Sequence, residues 1–335
     1  MWSIVIMKMN IKKPNSCSIV LLTNCMFRCK MCEMWKSNDN PYQTSTEEWK
    51  SFIGSLENLL DGPRELVFSG GEPLLRKDIF ELIKFGTDKG FKTLMPSNAY
   101  LIDEDMAKKI RDSGLKEIFI SLDSANEKTH DFLRGMEGAH KKVMRAFENL
   151  CKFCPELRIG IITVISGVNY TEVIDLVKWV KDAKFLSGVY CQAIAKPFFV
   201  PLDNDWHRSD THSFLWPKDM VKMRSVLDGL IELRNSGYPL HNFPLQLEIF
   251  KTYFEDPTKR ARKAKCYLGD YVVNTDPSGN ISLCCFMDPI GNIKKDDINT
   301  LWFSDKASQA RDKMHNCSVN CNNMVNCFFK EEEEI

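Results

Sequence analysis

The segment Ser18-Ile-Val-Leu-Leu22-Thr-Asn-Cys25-Met-Phe-Arg-Cys29-Lys-Met-Cys32 joins a short apolar run to three closely spaced cysteines. Residues 18–22 are typical of a buried strand, and the cysteines follow directly as C-x3-C-x2-C. Thiolates at this spacing suit zinc or an iron–sulfur cluster. A structural zinc site is closed by four protein ligands, and no fourth Cys or His lies nearby in sequence. Three thiolates would leave one iron of a [4Fe–4S] cluster open to a further ligand.

The chain beyond this segment alternates strand and helix patterns. Strand-like apolar runs occupy residues 65–68, 91–95, 117–122, 158–165 and 188–194. Between them, groups such as Val173, Leu176 and Val177 follow the i, i+3, i+4 spacing of an amphipathic helix. Six strands alternating with helices predict an α/β fold built on a parallel sheet. Whether closed into a barrel or left open, such a sheet places its site at the carboxyl ends of the strands.

A second motif, Gly70-Gly71-Glu72-Pro73, follows the second strand-like run. Two glycines at a strand end let the backbone approach a ligand closely, and Glu72 can accept a hydrogen bond from an amine. Taken alone, the motif is equally consistent with an ordinary tight turn.

Together, in this order and at these strand ends, the two motifs resemble those of the radical S-adenosylmethionine (SAM) enzymes. The resemblance covers residues 17–195 and implies a partial (β/α)6 TIM-type barrel, in agreement with the six strand-like runs. It implies that Cys25, Cys29 and Cys32 hold a [4Fe–4S] cluster whose fourth iron is chelated by the SAM amine and carboxylate. The Gly-Gly-Glu-Pro turn would hold the amine. Met31 departs from the family, which often has an aromatic residue there.

Three further positions carry over from the family. Asn98, after the third strand, would contact the ribose or methionyl part of SAM, and Ser121, after the fourth, would be a polar SAM contact. Arg134, in His-Asp-Phe-Leu-Arg-Gly, would pair with the SAM carboxylate, which suits its planar, bidentate guanidinium. The alternatives are helix capping for Ser121 and Asp123 and a surface ion pair for Arg134.

A second group of cysteines lies near the carboxyl end. Residues 271–274 and 280–283 read as two strands of a hairpin around the turn 276–279, which would bring Cys266 and Cys284 toward one end. With Gly279-x4-Cys284, this region resembles the SPASM auxiliary-cluster extension of radical SAM enzymes, or its shorter twitch form. The resemblance implies a small cysteine-rich extension with one auxiliary [4Fe–4S] cluster, with a structural zinc as the alternative. Four of five cysteines would be its ligands: Cys266, Cys284, Cys317, Cys321 and Cys327.

The other cysteines are assigned separately. Cys285 or Asp288, beside a predicted ligand, could give or take a proton or hydrogen atom at the substrate, although a spare thiol is the alternative for Cys285. We predict that the remaining four, Cys17, Cys151, Cys154 and Cys191, are structural.

Composition narrows the function class. The 335 residues carry 45 basic and 45 acidic side chains, which argues against a nucleic-acid binder, and no apolar run is long enough to cross a membrane. With no export signal, 13 cysteines fit a cytoplasmic protein that uses thiols as metal ligands. We predict four regions: an N-terminal segment (1–16), the barrel (17–195), an aromatic-rich segment with a linking helix (196–260) and the auxiliary-cluster domain (261–335).

The resemblance implies a radical SAM oxidoreductase or maturase. It would cleave SAM reductively to a 5′-deoxyadenosyl radical and take a hydrogen atom from a substrate C–H bond, in a peptide or protein side chain. Because the barrel begins near residue 17, we expect no fused leader-peptide-binding domain. The alternative substrate is a small molecule, such as a sugar or cofactor precursor, and the distant alternative is a non-catalytic zinc-binding module. An electron donor such as flavodoxin or ferredoxin would be the partner. The sequence does not identify the substrate.

Overall fold

A computed structural model describes residues 12–37, 43–197 and 205–327 of the chain. All six predicted strands form, although β1 begins and ends two residues earlier than the apolar run suggests. Their bounds are β1 Ser16–Val20, β2 Glu65–Ser69, β3 Lys92–Ser97, β4 Glu117–Ser121, β5 Arg158–Ile165 and β6 Leu186–Ala193.

Helices connect these strands and continue into the carboxyl-terminal region. A Ser45–Glu48 capping box starts the first helix, so local side-chain hydrogen bonds fix its beginning. The helices are α1 Thr46–Leu59, α2 Ile79–Asp88, α3 Glu104–Ser113, α4 Glu127–Arg134, α5 Ala139–Phe153, α6 Val173–Asp182, α7 Met220–Asn235, α8 Pro244–Glu255, α9 Leu268–Tyr271, α10 Ile298–Leu301, α11 Asp305–His315 and α12 Asn322–Asn326.

The first six strands are parallel and lie side by side in chain order. Their inward and outward side chains are largely apolar because helices cover such sheets. Parallel strands present their carboxyl ends at one edge, so the loops that follow β1, β2, β3 and β4 meet there. No described helix combines the length and the apolar character needed to cross a bilayer.

The predicted hairpin forms, as β7 Val272–Thr275 and β8 Asn280–Ser282, and a short β9 Gly291–Asn292 follows it. The sequence did not predict its location. Strand β7 pairs in parallel with β1, in register from Ser16–Val272 to Ile19–Thr275. The order β6-β5-β4-β3-β2-β1-β7-β8-β9 therefore makes the hairpin a continuation of the main sheet. This pairing joins the hairpin that lies between Cys266 and Cys284 to the barrel's first strand.

The linking helix predicted within residues 196–260 corresponds to α7. Trp206 and Trp216 of the aromatic-rich segment pack edge-to-face, with ring centroids 5.7 Å apart. The segment contacts the barrel after β5, where the amide of Gly167 donates to the carbonyl of Leu215 at 2.6 Å. Its Phe198 and Phe199 lie outside the described residues.

Candidate active site

The loop of the first cysteine group is held in place by backbone hydrogen bonds. The amides of Arg28 and Lys30 donate to the carbonyls of Arg134 (3.3 Å) and Leu133 (2.8 Å) at the end of α4. Phe27, within the loop itself, is buried. The loop is therefore fixed against the turn after α4, which carries one of the predicted SAM contacts.

The three thiols line one cavity of about 220 Å³ at the carboxyl ends of the strands. The structure brings Cys25, Cys29 and Cys32 together there with other residues predicted to bind the cofactor, namely Gly70, Gly71, Asn98, Ser121 and Arg134. These groups come from the loops after four separate strands and from the end of α4. The sequence spacing alone could not have placed them around a common volume.

Burial changes the chemistry of these thiols. It raises the pKa of Cys25 and Cys32, and it raises the pKa of Cys29 to about 12, against the opposing effect of the nearby Arg134 guanidinium. A metal centre deprotonates a coordinating thiol outright, so soft sulfur donors with raised pKa values remain suited to iron. Among the described residues, no three Cys, His, Asp or Glu side chains converge on a point where a single metal ion could be held. The three thiols that line the cavity fit a [4Fe–4S] cluster in which three irons each take one thiolate and the fourth stays open to a further ligand.

The glycine turn is locked against the cysteine loop. The Gly71 amide donates to the Leu22 carbonyl and the Glu72 amide to the Asn24 carbonyl, both at 2.9 Å. Gly70 has φ +145°, and a Cβ on Gly71 would overlap the carbonyl oxygens of Thr23 and Asn24. Glycine is therefore required for the two loops to approach each other, as the sequence predicted for a ligand-holding turn.

Replacing Gly71 with alanine is expected to disrupt the cavity. The new methyl group would push the turn off the cysteine loop, and we expect SAM binding to weaken at least about tenfold, the loss caused by ~1.4 kcal/mol. Equilibrium dialysis with labelled SAM on the reconstituted protein measures this. Gly54→Ala in α1 is the matched control, because its Cβ would meet only the Lys89 side chain at 3.8 Å. Equal SAM affinity for Gly71→Ala and wild type would contradict the assignment.

Glu72 has its side chain turned into the protein. Its carboxylate accepts hydrogen bonds from the Ser97 hydroxyl (2.9 Å), the Asn98 amide (2.8 Å) and the Leu74 amide (3.2 Å), and burial raises its pKa to about 7. Among the described residues, the cavity is lined by Gly70 and Gly71 and not by this carboxylate. Gly70 and Gly71, and not the Glu72 side chain, are therefore the part of the turn that faces the cavity, and Glu72 braces the turn against the end of β3. Pro73 opens the short 3-10 helix that follows.

Asn98 is also held within the cavity wall. Its Oδ1 accepts from the Tyr100 amide at 3.0 Å, and its Nδ2 lies 3.3 Å from the Met26 sulfur and 3.8 Å from the Cys25 sulfur. Ser121 is half-buried at the end of β4 and faces the same cavity. Both residues therefore line the cavity that the three thiols also line.

Arg134 forms an ion pair with Asp123, which the sequence did not predict. Its Nε and Nη2 lie 2.7 and 2.9 Å from the two carboxylate oxygens of Asp123, which is fully buried. The Asp123 backbone amide donates to Nδ1 of His130 at 3.2 Å, and its Oδ1 also accepts from the Val164 amide at 3.1 Å. Arg134 is thus neither a surface ion pair nor a free cation, because a buried carboxylate fixes its guanidinium beside the cavity and near Cys29.

The second cysteine group is assembled by the hairpin and the carboxyl-terminal loop. Cys266 lies close enough to Cys284, Cys317, Cys321 and Cys327 to interact electrostatically with each of them. Burial raises the pKa of Cys321 to about 11 and that of Cys327 to about 12. All five predicted auxiliary ligands therefore share one region of the molecule.

Cys285 and Asp288 are exposed and, among the described residues, do not line the thiol cavity. The Cys285 sulfur lies 3.9 Å from the side-chain nitrogen Nδ2 of Asn323 and interacts with Cys284 and Cys321. The structure therefore places Cys285 beside the second cysteine group.

The four cysteines predicted to be structural lie apart from both groups. Cys17 and Cys191 are completely buried on β1 and β6. Cys154 donates its S–H to the Ala107 carbonyl at 3.1 Å, while Cys151 is exposed on α5.

A buried amide network fastens the carboxyl-terminal loop to the edge strand β6. The side chain of Asn326 accepts from the Ala193 amide at 2.8 Å and donates to the Ala193 carbonyl at 2.9 Å, as a neighbouring strand would. Asn242 pairs in the same way with Cys191 (2.7 and 2.8 Å). Gln246 links the two by donating to the Asn326 carbonyl at 3.1 Å and accepting from Asn242 at 2.9 Å. Sequence analysis missed these residues, because isolated amides carry no spacing pattern.

The network leads to a prediction for Asn326→Asp. The new carboxylate would face the Ala193 carbonyl, which then loses its donor, at a cost of about 1–3 kcal/mol. Because Cys327 follows directly, we expect the variant to lose iron from the second cysteine group while the barrel cavity keeps its own. Iron per chain and the electron paramagnetic resonance (EPR) spectrum report the two groups separately. Asn316→Asp, at an exposed position directly before Cys317, is the control, and an unchanged iron content in Asn326→Asp would refute the prediction.

Comparison with known proteins agrees with this geometry. Residues 19–180 match the model of the radical SAM superfamily, and residues 266–327 match that of SPASM, an iron–sulfur cluster-binding domain. An AdoMet-dependent heme synthase of Methanosarcina barkeri is 32% identical over 293 residues, which cover 84% of this chain and 80% of that protein.

Two solved structures share the fold at low sequence identity. Native anSMEcpe with bound AdoMet and a peptide superposes with a TM-score of 0.67 at 19% identity, covering 94% of this chain and 88% of that one. Streptococcus suis SuiB bound to S-adenosylmethionine gives a TM-score of 0.68 at 16% identity, covering 94% and 72%.

The two matched domains imply the cofactors predicted from the cysteine groups. A radical SAM domain implies a [4Fe–4S] cluster that binds SAM, and a SPASM domain implies auxiliary iron–sulfur binding. The chain therefore belongs to the radical SAM enzymes and carries a SPASM iron–sulfur cluster-binding domain at its carboxyl-terminal end.

Proposed function

We propose that the thiol cavity holds the SAM-binding cluster and that the enzyme uses it to remove a hydrogen atom from a carbon of its substrate. One observation carries this proposal. The three thiols, the glycine turn and a fixed guanidinium, which come from separate loops, line the same small cavity. A turn that only reversed the chain would not be expected to share a cavity with three half-buried thiols and a fixed guanidinium.

The residues then have separate tasks. Cys25, Cys29 and Cys32 supply three thiolate ligands, and the carbonyls of Gly70 and Gly71 accept from the SAM amine. Arg134, held by Asp123, attracts the SAM carboxylate. When bound, the cluster and SAM supply a 5′-deoxyadenosyl radical, and the protein orients it and excludes water. Asn98 and Ser121 contact the ribose or methionyl part.

For the second cysteine group we propose one auxiliary cluster, with Cys266, Cys284 and two of Cys317, Cys321 and Cys327 as ligands. Support comes from their shared location and from the soft sulfur donor set. A catalytic role for Cys285 or Asp288 stays a prediction, and the exposure of both side chains in the described structure favours a spare thiol for Cys285.

For the substrate we infer a small molecule of the cofactor-precursor class. The heme synthase that shares 32% identity over most of both chains favours this alternative. A peptide or protein side chain was the first expectation from the SPASM resemblance. Its support is weaker: a PqqA peptide cyclase that is 30% identical matches only 38% of this chain, and the low identity of the solved structures speaks for the fold alone. The similarity to the heme synthase therefore makes a small molecule the first candidate substrate and a peptide the second.

The test is hydrogen-atom transfer from candidate substrates. The anaerobically reconstituted protein would be incubated with SAM, dithionite and one candidate substrate. The substrate would be an iron porphyrin precursor or a mixed peptide library, each supplied in a deuterated and in an ordinary form. Mass spectrometry would then detect deuterium in 5′-deoxyadenosine. Deuterium from the porphyrin precursor supports the proposal, whereas deuterium only from peptides would restore the peptide assignment.

A further inference from the structure

The turn that follows β5, residues 166–169, is organised by the side chain of Asn169. Ser166 and Asn169 are both completely buried. The Oδ1 of Asn169 accepts from the Ser166 amide at 2.9 Å and from the Ser166 hydroxyl at 2.8 Å. Asn169 precedes the short 3-10 helix Tyr170–Glu172, yet its side chain makes no capping hydrogen bond to that helix. The side-chain amide is instead turned into the protein.

The nitrogen of this side-chain amide joins the loop after β4 to the end of β5. The Nδ2 of Asn169 donates to the Asp123 carbonyl at 2.7 Å and to the Val164 carbonyl at 3.0 Å. Together with the two bonds at its oxygen, all four hydrogen-bonding positions of the side-chain amide are used. Val164 is also the residue whose amide donates to the Asp123 carboxylate. One side chain thus binds both backbone segments that fix the position of that carboxylate.

The backbone of Asp123 is held by side chains, because it lies beyond the last residue of β4. Its amide donates to Nδ1 of His130 at 3.2 Å, and its carbonyl also accepts from the Thr163 hydroxyl at 3.4 Å. The bond from Asn169 is the shortest of these three. The Asp123 carboxylate in turn holds the Arg134 guanidinium. The position of Arg134 therefore depends on Asn169.

The aromatic-rich segment closes the other side of the turn. The Gly167 amide bonds to Leu215, and a Cβ on Gly167 would lie 2.4 Å from the carbonyl oxygen of Trp216. The two backbones are therefore in direct contact, and Leu215 is completely buried. Buried hydrogen bonds that are fully satisfied hold their members rigidly, so the turn is a firm support for the loop after β4.

We propose that Asn169 is a positioning residue for SAM, which holds Asp123 so that Arg134 meets the SAM carboxylate. This rests on the proposed function, in which Arg134 attracts that carboxylate. A guanidinium binds a carboxylate through two parallel hydrogen bonds, and their geometry is sensitive to small displacements of either partner. Loss of the Asn169 side-chain amide would free the loop after β4 to shift, and Arg134 would shift with it.

A double-mutant cycle on SAM affinity tests this role. Equilibrium dialysis with labelled SAM would be carried out on the reconstituted holoenzyme, for Asn169→Ala, for Arg134→Gln and for the two combined. In the wild-type background we expect Asn169→Ala to weaken SAM binding about tenfold. In the Arg134→Gln background the same change should weaken binding by no more than about twofold, because the group that Asn169 positions is already gone.

Two further variants complete the cycle. Asn242→Ala is the matched control, because Asn242 is also a completely buried amide bound to backbone, at Cys191, and among the described residues it does not line the thiol cavity. Ser166→Ala is a milder change that removes one of the donors to Asn169. It should cause a smaller loss of SAM affinity, which again disappears in the Arg134→Gln background.

Equal losses of SAM affinity for Asn169→Ala in the two backgrounds would overturn the proposal, because Asn169 would then support only the fold. So would wild-type affinity in Asn169→Ala, or an equal loss in Asn242→Ala. If Asn169→Ala gives no folded protein, the same comparison of backgrounds with Ser166→Ala decides. Absence of SAM binding by the wild-type holoenzyme would instead reject the proposed function, and this inference with it.

Discussion

Cys29→Ala is expected to abolish 5′-deoxyadenosine formation and to remove about four irons per chain. Cys29 is the most enclosed thiol of its group, and it interacts with Arg134 and with the other two cysteines. With two thiolates left, the cavity can no longer hold a cluster whose remaining iron is free for SAM. Iron analysis and product quantification after anaerobic reconstitution measure both effects.

The iron that remains in Cys29→Ala should belong to the SPASM region and keep the EPR signal of that region. Cys151→Ala provides the control, because it removes an exposed thiol that lies apart from both groups. Product formation by Cys29→Ala at the wild-type rate would show that the cavity does not hold the reactive cluster.

Asp123→Ala is expected to cause the largest loss of stability among the variants considered. It would leave the Arg134 guanidinium buried without its carboxylate, and breaking a buried ion pair from one side costs about 3–5 kcal/mol. It would also free the guanidinium to rotate away from the cavity. We therefore expect a lower midpoint of denaturant unfolding for the apo-protein and a raised KM for SAM in the folded fraction.

A double variant separates the two effects. Asp123→Ala/Arg134→Leu removes the unpaired charge, so stability should recover in part, whereas SAM affinity should not. Recovery of SAM affinity along with stability would mean that Arg134 supports only the fold. Asp123→Asn keeps the hydrogen bond from Val164 and should lie between the wild type and Asp123→Ala on both measurements.

The parts of the fold that follow from local patterns were predicted from the sequence. Each of the six strands is specified by a short run of apolar residues. The 276–279 turn is likewise specified by a few consecutive turn-forming residues. The C-x3-C-x2-C and Gly-Gly-Glu-Pro motifs are equally local. The location of the cavity could also be predicted, because parallel strands bring their carboxyl ends to one edge of the sheet whatever their individual contacts are.

What the sequence could not show depends on pairs distant along the chain. The pairing of β7 with β1 joins residues more than two hundred positions apart, and the hairpin pattern does not specify its neighbour. Asp123 and Arg134 were each noticed, yet nothing in their spacing indicates that they bind each other. The inward turn of the Glu72 carboxylate likewise depends on Ser97 and Asn98, which reach it only in the folded sheet.

The most direct test of the central claim is the amount of 5′-deoxyadenosine formed by the wild-type protein. The reconstituted enzyme would be given SAM and dithionite without oxygen, and the product would be measured over time by liquid chromatography and mass spectrometry. A SAM-binding cluster in the thiol cavity predicts 5′-deoxyadenosine and methionine in equal amounts, dependent on both reagents. A protein that carries its full iron content and forms neither product would contradict it.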